Sequence, residues 1–264
     1  MVDSFGECPV CRGLKNELIF KRGSHGVRKC LSCGFGWLIG EKDISYDRQY
    51  FKDRFFDNFE KDALCKLIFI KNHVGKDLKI LDFGCGLGDF LNLAKKDGFD
   101  VVGYDSSSYV KEYVLEKYGI KILSSRLRSN LFRENSFDCI VIFDVLEHLP
   151  NFKLVLGYLH RWLNAGGKIV ITTPNLESWD ARLLGKYWYG FRKIPEHVNY
   201  FSPSSIRKVL SETGFKDISV LSWGFNRDLG FVLSKLSALS RLPKFLNNFS
   251  FFVPAVEMLV IARK

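Results

Sequence analysis

The stretch Leu78-Lys79-Ile80-Leu81-Asp82-Phe83-Gly84-Cys85-Gly86-Leu87-Gly88-Asp89-Phe90-Leu91 decides the fold of this chain. An apolar run ends in a carboxylate and a turn with glycine at every second position, and a helical pattern follows. Such a turn presents backbone N–H groups to a bound small molecule, because glycine reaches positive φ and puts no Cβ in the way. Further on, Val101-Val102-Gly103-Tyr104 closes on Asp105, a carboxylate placed to take both hydroxyls of a ribose. The dinucleotide pattern G-x-G-x-x-G would need a third glycine where this chain has Asp89. The ligand is therefore expected to carry a ribose without being a dinucleotide.

Working outward, strands and helices alternate. Strands are expected at about 78–83, 100–105, 120–123, 137–143 and 168–174, with helices at about 88–97 and 107–118 and another after Pro150. Phe137-Asp138-Cys139-Ile140-Val141-Ile142-Phe143 is nearly continuous in apolar residues, as a strand buried on both faces should be. The alternation predicts an α/β fold, a doubly wound Rossmann-like sheet with ligands at the carboxyl ends of its strands. Beyond it lie an aromatic segment at 175–199, a helix at 204–210 and strands at 218–221 and 257–263. An insertion near 225–253 carries the helical stripe Leu229, Val232, Leu233, Leu236, Leu239 and Leu242, followed by Phe245, Leu246, Phe249, Phe251 and Phe252. It is expected to pack on the domain or on a dimer partner, with a substrate lid or a peripheral membrane contact as its other roles.

The N-terminus has its own chemistry. Cys8-Pro9-Val10-Cys11 and Cys30-Leu31-Ser32-Cys33 are separated by 18 residues that read as a hairpin. Two C-x-x-C knuckles brought together by a hairpin make a tetrahedral thiolate site suited to zinc. Cys8, Cys11, Cys30 and Cys33 fill all four positions, so the zinc is expected to be structural and His25 a turn residue. About 40 residues cannot build an adequate core alone, and zinc can supply on the order of 10 kcal/mol. Cys65 and Cys139 sit in apolar settings and are expected to be buried, inert thiols. The predicted organisation is a zinc ribbon at 1–40, a helical linker at 41–75 and the α/β domain at 76–264.

The 264 residues carry a net charge of +10, from 39 Lys and Arg against 29 Asp and Glu, spread in ones and twos rather than in a block. That balance suits nucleic acid, acidic membranes or phosphorylated substrates without choosing among them. No stretch reaches the roughly 18 apolar residues of a membrane span, and Met1 to Glu7 is no signal peptide, so a cytoplasmic location is expected.

Asp82, Gly84, Gly86 and Gly88 together resemble motif I of the class I S-adenosylmethionine (SAM) dependent methyltransferases. Asp105 matches that family's acidic ribose ligand. Asn135-Ser136-Phe137-Asp138 and Phe143-Asp144-Val145-Leu146-Glu147-His148-Leu149 match its fourth-strand pattern, and Gly166-Gly167 and Thr172-Thr173-Pro174-Asn175 flank its fifth strand. The resemblance covers about 78–264 and implies a seven-stranded sheet. It implies SAM as cofactor, held by Asp82, Gly84, Cys85, Gly86, Gly88, Asp105, Ser106, Phe143 and Asp144. Relatives often carry an acidic residue after strand three for adenine. This chain has Ser124-Ser125-Arg126-Leu127-Arg128, which implies backbone and apolar contact with adenine near Ser125, Arg126 and Leu127. The ribbon followed by Tyr46-Asp47-Arg48-Gln49-Tyr50-Phe51 looks like a subgroup found among sugar, polysaccharide and natural-product methyltransferases; the aromatics from Tyr46 to Phe56 are expected to pack, with closure of Tyr46 or Tyr50 over the cofactor as a second reading.

Methyl transfer from a sulfonium needs alignment and exclusion of water, and a base where the acceptor is a hydroxyl or carbon acid. His197, in Pro195-Glu196-His197-Val198-Asn199-Tyr200-Phe201, and His148 are the candidate catalytic residues. The expected function is methylation at oxygen or carbon of a small molecule, a sugar or glycan or a natural-product intermediate. Two other readings are an RNA methyltransferase docking through the ribbon and a non-catalytic zinc-ribbon scaffold. Complete motif I and Asp105 argue against the scaffold.

Overall fold

A computed structural model of the protein describes residues 6–41, 50–51, 59–228 and 250–264. At the N-terminus β1 (Asn16–Arg22), β2 (His25–Cys30) and β3 (Gly36–Ile39) form an antiparallel sheet, the first two being the hairpin expected between the cysteine pairs. A second sheet begins with β4 (Lys79–Phe83), β5 (Asp100–Tyr104), β6 (Phe137–Phe143) and β7 (Leu163–Pro174), all parallel. Helices α1 (Phe59–His73), α2 (Asp89–Lys96), α3 (Ser108–Tyr118) and α4 (Phe152–Trp162) alternate with these strands. After α5 (Trp179–Leu184) and α6 (Tyr189–Arg192), the short strand β8 (Asn199–Tyr200) leaves this domain and adds to β3 of the small sheet. Helix α7 (Pro203–Glu212) then leads into β9 (Lys216–Asp228) and β10 (Ser250–Arg263). The large sheet has the order β5-β4-β6-β7-β10-β9, with β10 antiparallel to β7 and to β9.

The two-residue period of the strands sorts the core onto two faces. Ile80, Cys139, Val141, Val170 and Leu259 pack with Ala63, Leu67 and Ile70 of α1 and Phe90 and Ala94 of α2. Their neighbours Leu81, Ile140, Ile142, Ile169, Ile171 and Val260 face α4 and α7. Helix α1, expected as part of a linker, thus covers one face of the sheet.

The N-terminal sheet is welded to the second face. Cys8, Val10, Phe35 and Trp37 share a buried cluster with Phe152, Phe201 and Ile206. Ser202 caps α7 by accepting the Ser205 N–H, in a capping box, and its hydroxyl donates to the Cys33 carbonyl at 3.1 Å. Gly34, at φ +73, lies so close that a Cβ there would meet the Ser202 hydroxyl at 2.7 Å. Lys153 donates to the Val10 carbonyl, and the Arg22 guanidinium donates to the Ile194 carbonyl.

Three expectations are corrected. The strand expected at 120–123 is a single bridge, Tyr104 to Leu123, so the described large sheet has six strands where seven were expected. Ile120 and Ile122 are buried against α3, but the chain turns away after Leu123 before a ladder can form. The insertion expected from 225 to 253 begins later, because Phe225 pairs with Val253 and Asp228 with Ser250 as β9 and β10 extend beyond the core. The stripe from Leu229 to Phe249 lies outside the described residues. Cys139 is buried as expected, and burial pushes its thiol up to about 12, whereas Cys65 is only half-buried.

Candidate active site

Two groups of side chains converge at the carboxyl ends of the parallel strands, and the four cysteines lie in the N-terminal sheet. Cys8 and Cys33 have their sulfurs 3.5 Å apart, as do Cys11 and Cys30, and all four lie within 4.8 Å of one another. A disulfide would need about 2.05 Å. Zinc–sulfur bonds of about 2.3 Å set tetrahedral sulfurs roughly 3.8 Å apart. The four thiols therefore fit a zinc ion. Both knuckles close alike, the Arg12 N–H bonding the Cys8 carbonyl and the Gly34 N–H the Cys30 carbonyl, each donor at positive φ. Gly13 and Ser32 N–H groups point at the Cys11 and Cys30 sulfurs, which stabilises thiolate.

The glycine turn follows β4, whose neighbours are β5 and β6, so it stands where the strand order reverses and a crevice opens. Gly84 and Gly88 are at φ +78 and +81, and a Cβ would strike Val145 at 2.5 Å or Val114 at 2.9 Å. Gly86, at φ +50, is different: nothing lies within 4 Å of where its Cβ would be. The Gly84 and Cys85 N–H groups tie the turn to the Tyr104 carbonyl. Asp105 accepts the Gly86 N–H at 3.1 Å and the Ser107 N–H at 2.9 Å. Its carboxyl is raised by burial, which outweighs these two bonds. Asp82 is 3% exposed, one of its oxygens is buried without a hydrogen-bond partner, and burial pushes it up to about 7. An orphaned carboxylate oxygen beside a cleared glycine is what the ammonium and chain of SAM's methionine part would fill.

Asp144 follows β6 at φ +58, held there by its N–H to the Thr172 carbonyl and by the Thr172 hydroxyl on its Oδ1 at 2.9 Å. Its Oδ2 takes the Lys66 ammonium at 2.9 Å, and that ammonium also lies 4.8 Å from the Phe143 ring centroid. Burial opposes the charge on Asp144, but Lys66 and Thr172 outweigh it and hold the carboxyl low.

Beyond Asp144 the one-turn helix Leu146–His148 brings up a third carboxylate. Glu147 is 2% exposed, and its Oε1 lies 4.0 Å from the Nε2 of both His148 and His197. Burial, reinforced by Asp144, pushes Glu147 up to about 8. The segment carrying His197 is stapled to this turn: the Val198 N–H bonds the Glu147 carbonyl at 2.9 Å, and Asn199 donates to the Leu146 and Leu149 carbonyls. Tyr50 donates to Glu196 at 3.3 Å, while Phe51 packs beside Tyr109 and against the buried cluster at α3. This pair spans from α3 to the segment carrying His197. Tyr46 lies outside the described residues.

Of the expected site residues, Asp82, Gly84, Cys85, Gly86, Gly88 and Asp105 come together at β4 and β5, and Phe143, Asp144, His148 and His197 at β6. Ser106, Ser125 and Arg126 are exposed and Leu127 is half-buried. The Ser125 carbonyl accepts the Tyr104 hydroxyl at 3.0 Å. Sequence reasoning missed Glu147, although it stood in the quoted motif, and Lys66. An acid next to a histidine just after the most apolar strand is a signal for Glu147. Lys66 has none, because only the docking of α1 brings it to Asp144.

A family model described as a methyltransferase domain matches residues 47–220. The chain belongs to this methyltransferase family. Among similar proteins, a ubiquinone biosynthesis O-methyltransferase of Idiomarina loihiensis is 29% identical over 64% of this methyltransferase and 75% of that protein. Phosphoethanolamine N-methyltransferase 3 of Arabidopsis thaliana is 27% identical over 51% of this chain and 30% of its own length. The fold is shared with a SAM-dependent methyltransferase of Archaeoglobus fulgidus, with TM-score 0.59 and 20% identity over 83% of this chain and all of that one. The protein is a SAM-dependent methyltransferase with an α/β Rossmann-like fold and a mixed central sheet. Among the described residues no helix is long and apolar enough to cross a membrane.

Proposed function

We propose that this methyltransferase transfers a methyl group from SAM to a hydroxyl oxygen of a small molecule. The observation that carries the reading is the group of buried Glu147 and His197 with half-buried His148, beside Asp144 at the carboxyl end of β6. A neutral amine attacks a sulfonium unaided. A hydroxyl must lose its proton, and this group is equipped to deal with it. Asp82 would hold the ammonium of SAM and Asp105 its ribose hydroxyls, and the histidines stand at the end of the neighbouring strand β6. One relative is named for O-methylation in ubiquinone biosynthesis and another for phosphoethanolamine. Neither name concerns a sugar, and the proposed acceptor is only a hydroxyl-bearing small molecule. The four cysteines hold a structural zinc.

Calorimetry and an assay of S-adenosylhomocysteine release over phenols, polyols and amines test this. Asp105→Ala should weaken SAM binding at least tenfold. His197→Ala should leave SAM affinity nearly unchanged and lower turnover of a hydroxyl acceptor by roughly a hundredfold. Turnover of amines alone, or full activity in His197→Ala, would refute the assignment. Metal analysis should find at least one zinc per chain, with one equivalent lost when Cys30 is replaced.

A further inference from the structure

We propose that Glu147, His148 and His197 bind a first-row divalent cation, a metal centre separate from the four cysteines. Their donor atoms all lie within 4.8 Å of one another, with Glu147 Oε1 at 4.0 Å from each Nε2. That separation is too long for a hydrogen bond. A cation with bonds of about 2.1 Å sets neighbouring donors roughly 3.0–3.4 Å apart, so rotation of these side chains by less than about an ångström closes the site.

Glu147 and His148 are already fixed from behind through the far atoms of their side chains. Glu147 Oε2 accepts the Thr173 hydroxyl at 3.0 Å, which turns Oε1 toward the histidines. His148 Nδ1 lies 3.0 Å from the Glu196 carbonyl, which makes Nδ1 the protonated nitrogen and leaves the lone pair on Nε2. An imidazole held through its far nitrogen by a backbone carbonyl is the usual support of a metal ligand. His197 is anchored through its backbone, N–H to the Lys193 carbonyl and carbonyl from the Tyr200 hydroxyl. Asp144 is a neighbour rather than a ligand, since its two oxygens are engaged by Lys66 and Thr172.

Two imidazoles and a carboxylate suit manganese, iron, cobalt, nickel or zinc, and they contrast with the all-thiolate set of the N-terminal sheet. Three protein ligands leave coordination positions open, as in catalytic sites. The chemistry rests on the O-methylation reading above. With a cation held there, an acceptor hydroxyl at an open position would be made more acidic and would give its proton to solvent. Its oxygen lone pair forms the bond to the methyl carbon, the carbon–sulfur bond breaks, and that electron pair returns to sulfur, neutralising the sulfonium.

Mn²⁺ titrated into the full-length protein, followed by the paramagnetic resonance of the free ion, tests the site, because thiolate sites discriminate against manganese. One Mn²⁺ per chain is expected, weakened at least tenfold by Glu147→Gln and by His197→Ala, with SAM affinity and the melting transition of the variants retained as controls of folding. Should either variant not fold, the other carries the test. Failure of both Mn²⁺ and Co²⁺ to bind the native protein, or binding undiminished in the folded variants, would overturn the proposal. Cation binding is read without acceptor, so a protein that binds Mn²⁺ yet methylates no hydroxyl would contradict the O-methylation reading and leave the metal site standing.

Discussion

Asp82 shows how one buried side chain ties stability to ligand binding. Burial raises its pKa from 3.8 to about 7, so between those values the folded protein holds a proton that the unfolded chain has lost. Its contribution to stability is complete below the unfolded pKa and disappears as pH rises through about 7. On the proposed reading the SAM ammonium pairs with the ionised Asp82, so SAM affinity should change in the opposite direction, tightening up to tenfold per pH unit until about 7 and then levelling off. Calorimetry in buffers of different ionisation enthalpy should detect the released proton. Asp82→Asn should weaken SAM and flatten the profile while leaving the unliganded protein at least as stable at pH 8. The glycines differ in the same way. Gly84→Ala drives a methyl into Val145 and should prevent folding, whereas Gly86→Ala meets open space. The Gly86 variant should lose about 1 kcal/mol to its backbone conformation and most of its SAM affinity, seen by comparing thermal melts with ligand titration.

Among the elements, β8 connects the two sheets. It pairs Tyr200 with Gly36 and Asn199 with Trp37 of β3, while the residue before it, Val198, bonds the Glu147 carbonyl and accepts the Leu38 N–H. His197 is therefore placed by the N-terminal sheet as much as by its own domain. Removing the proposed zinc with a chelator, or Cys30→Ser, should consequently lower turnover several-fold more than SAM affinity, a split readable from kcat against the SAM Kd. Equal losses in both would mean that the N-terminal sheet only supports the fold. Helix α1 acts similarly on the other face, where it delivers Lys66 to Asp144. Lys66→Met should raise the pKa of Asp144 and cost about 1–2 kcal/mol, a value reduced by the partial exposure of Asp144.

At the scale of the whole molecule, the cluster joining Cys8, Val10 and Phe35 to α4 and α7 makes the two sheets one cooperative unit. Thermal unfolding should show a single transition that falls as a whole on zinc removal, and calorimetric scanning would reveal two transitions if the sheets melted apart. SAM at about a hundred times its Kd should add about 2.7 kcal/mol and raise that transition by several degrees. The strand–glycine–helix unit, the apolar β6, the carboxylate Asp105 beside the glycine turn and the cysteine knuckles were legible in the sequence because each is a local pattern, a period of two or a fixed spacing. The missing strand at 120–123 and the extended β9 and β10 were not, since a strand forms only where a neighbour supplies its hydrogen bonds. What the sequence by itself determined is the glycine turn after β4 with its flanking carboxylates and a set of thiols able to bind zinc. Tertiary structure alone decided that Lys66 meets Asp144 and that Glu147 faces His148 and His197 together. Residues 50 positions apart become neighbours only when β8 joins the N-terminal sheet and burial removes the water between them.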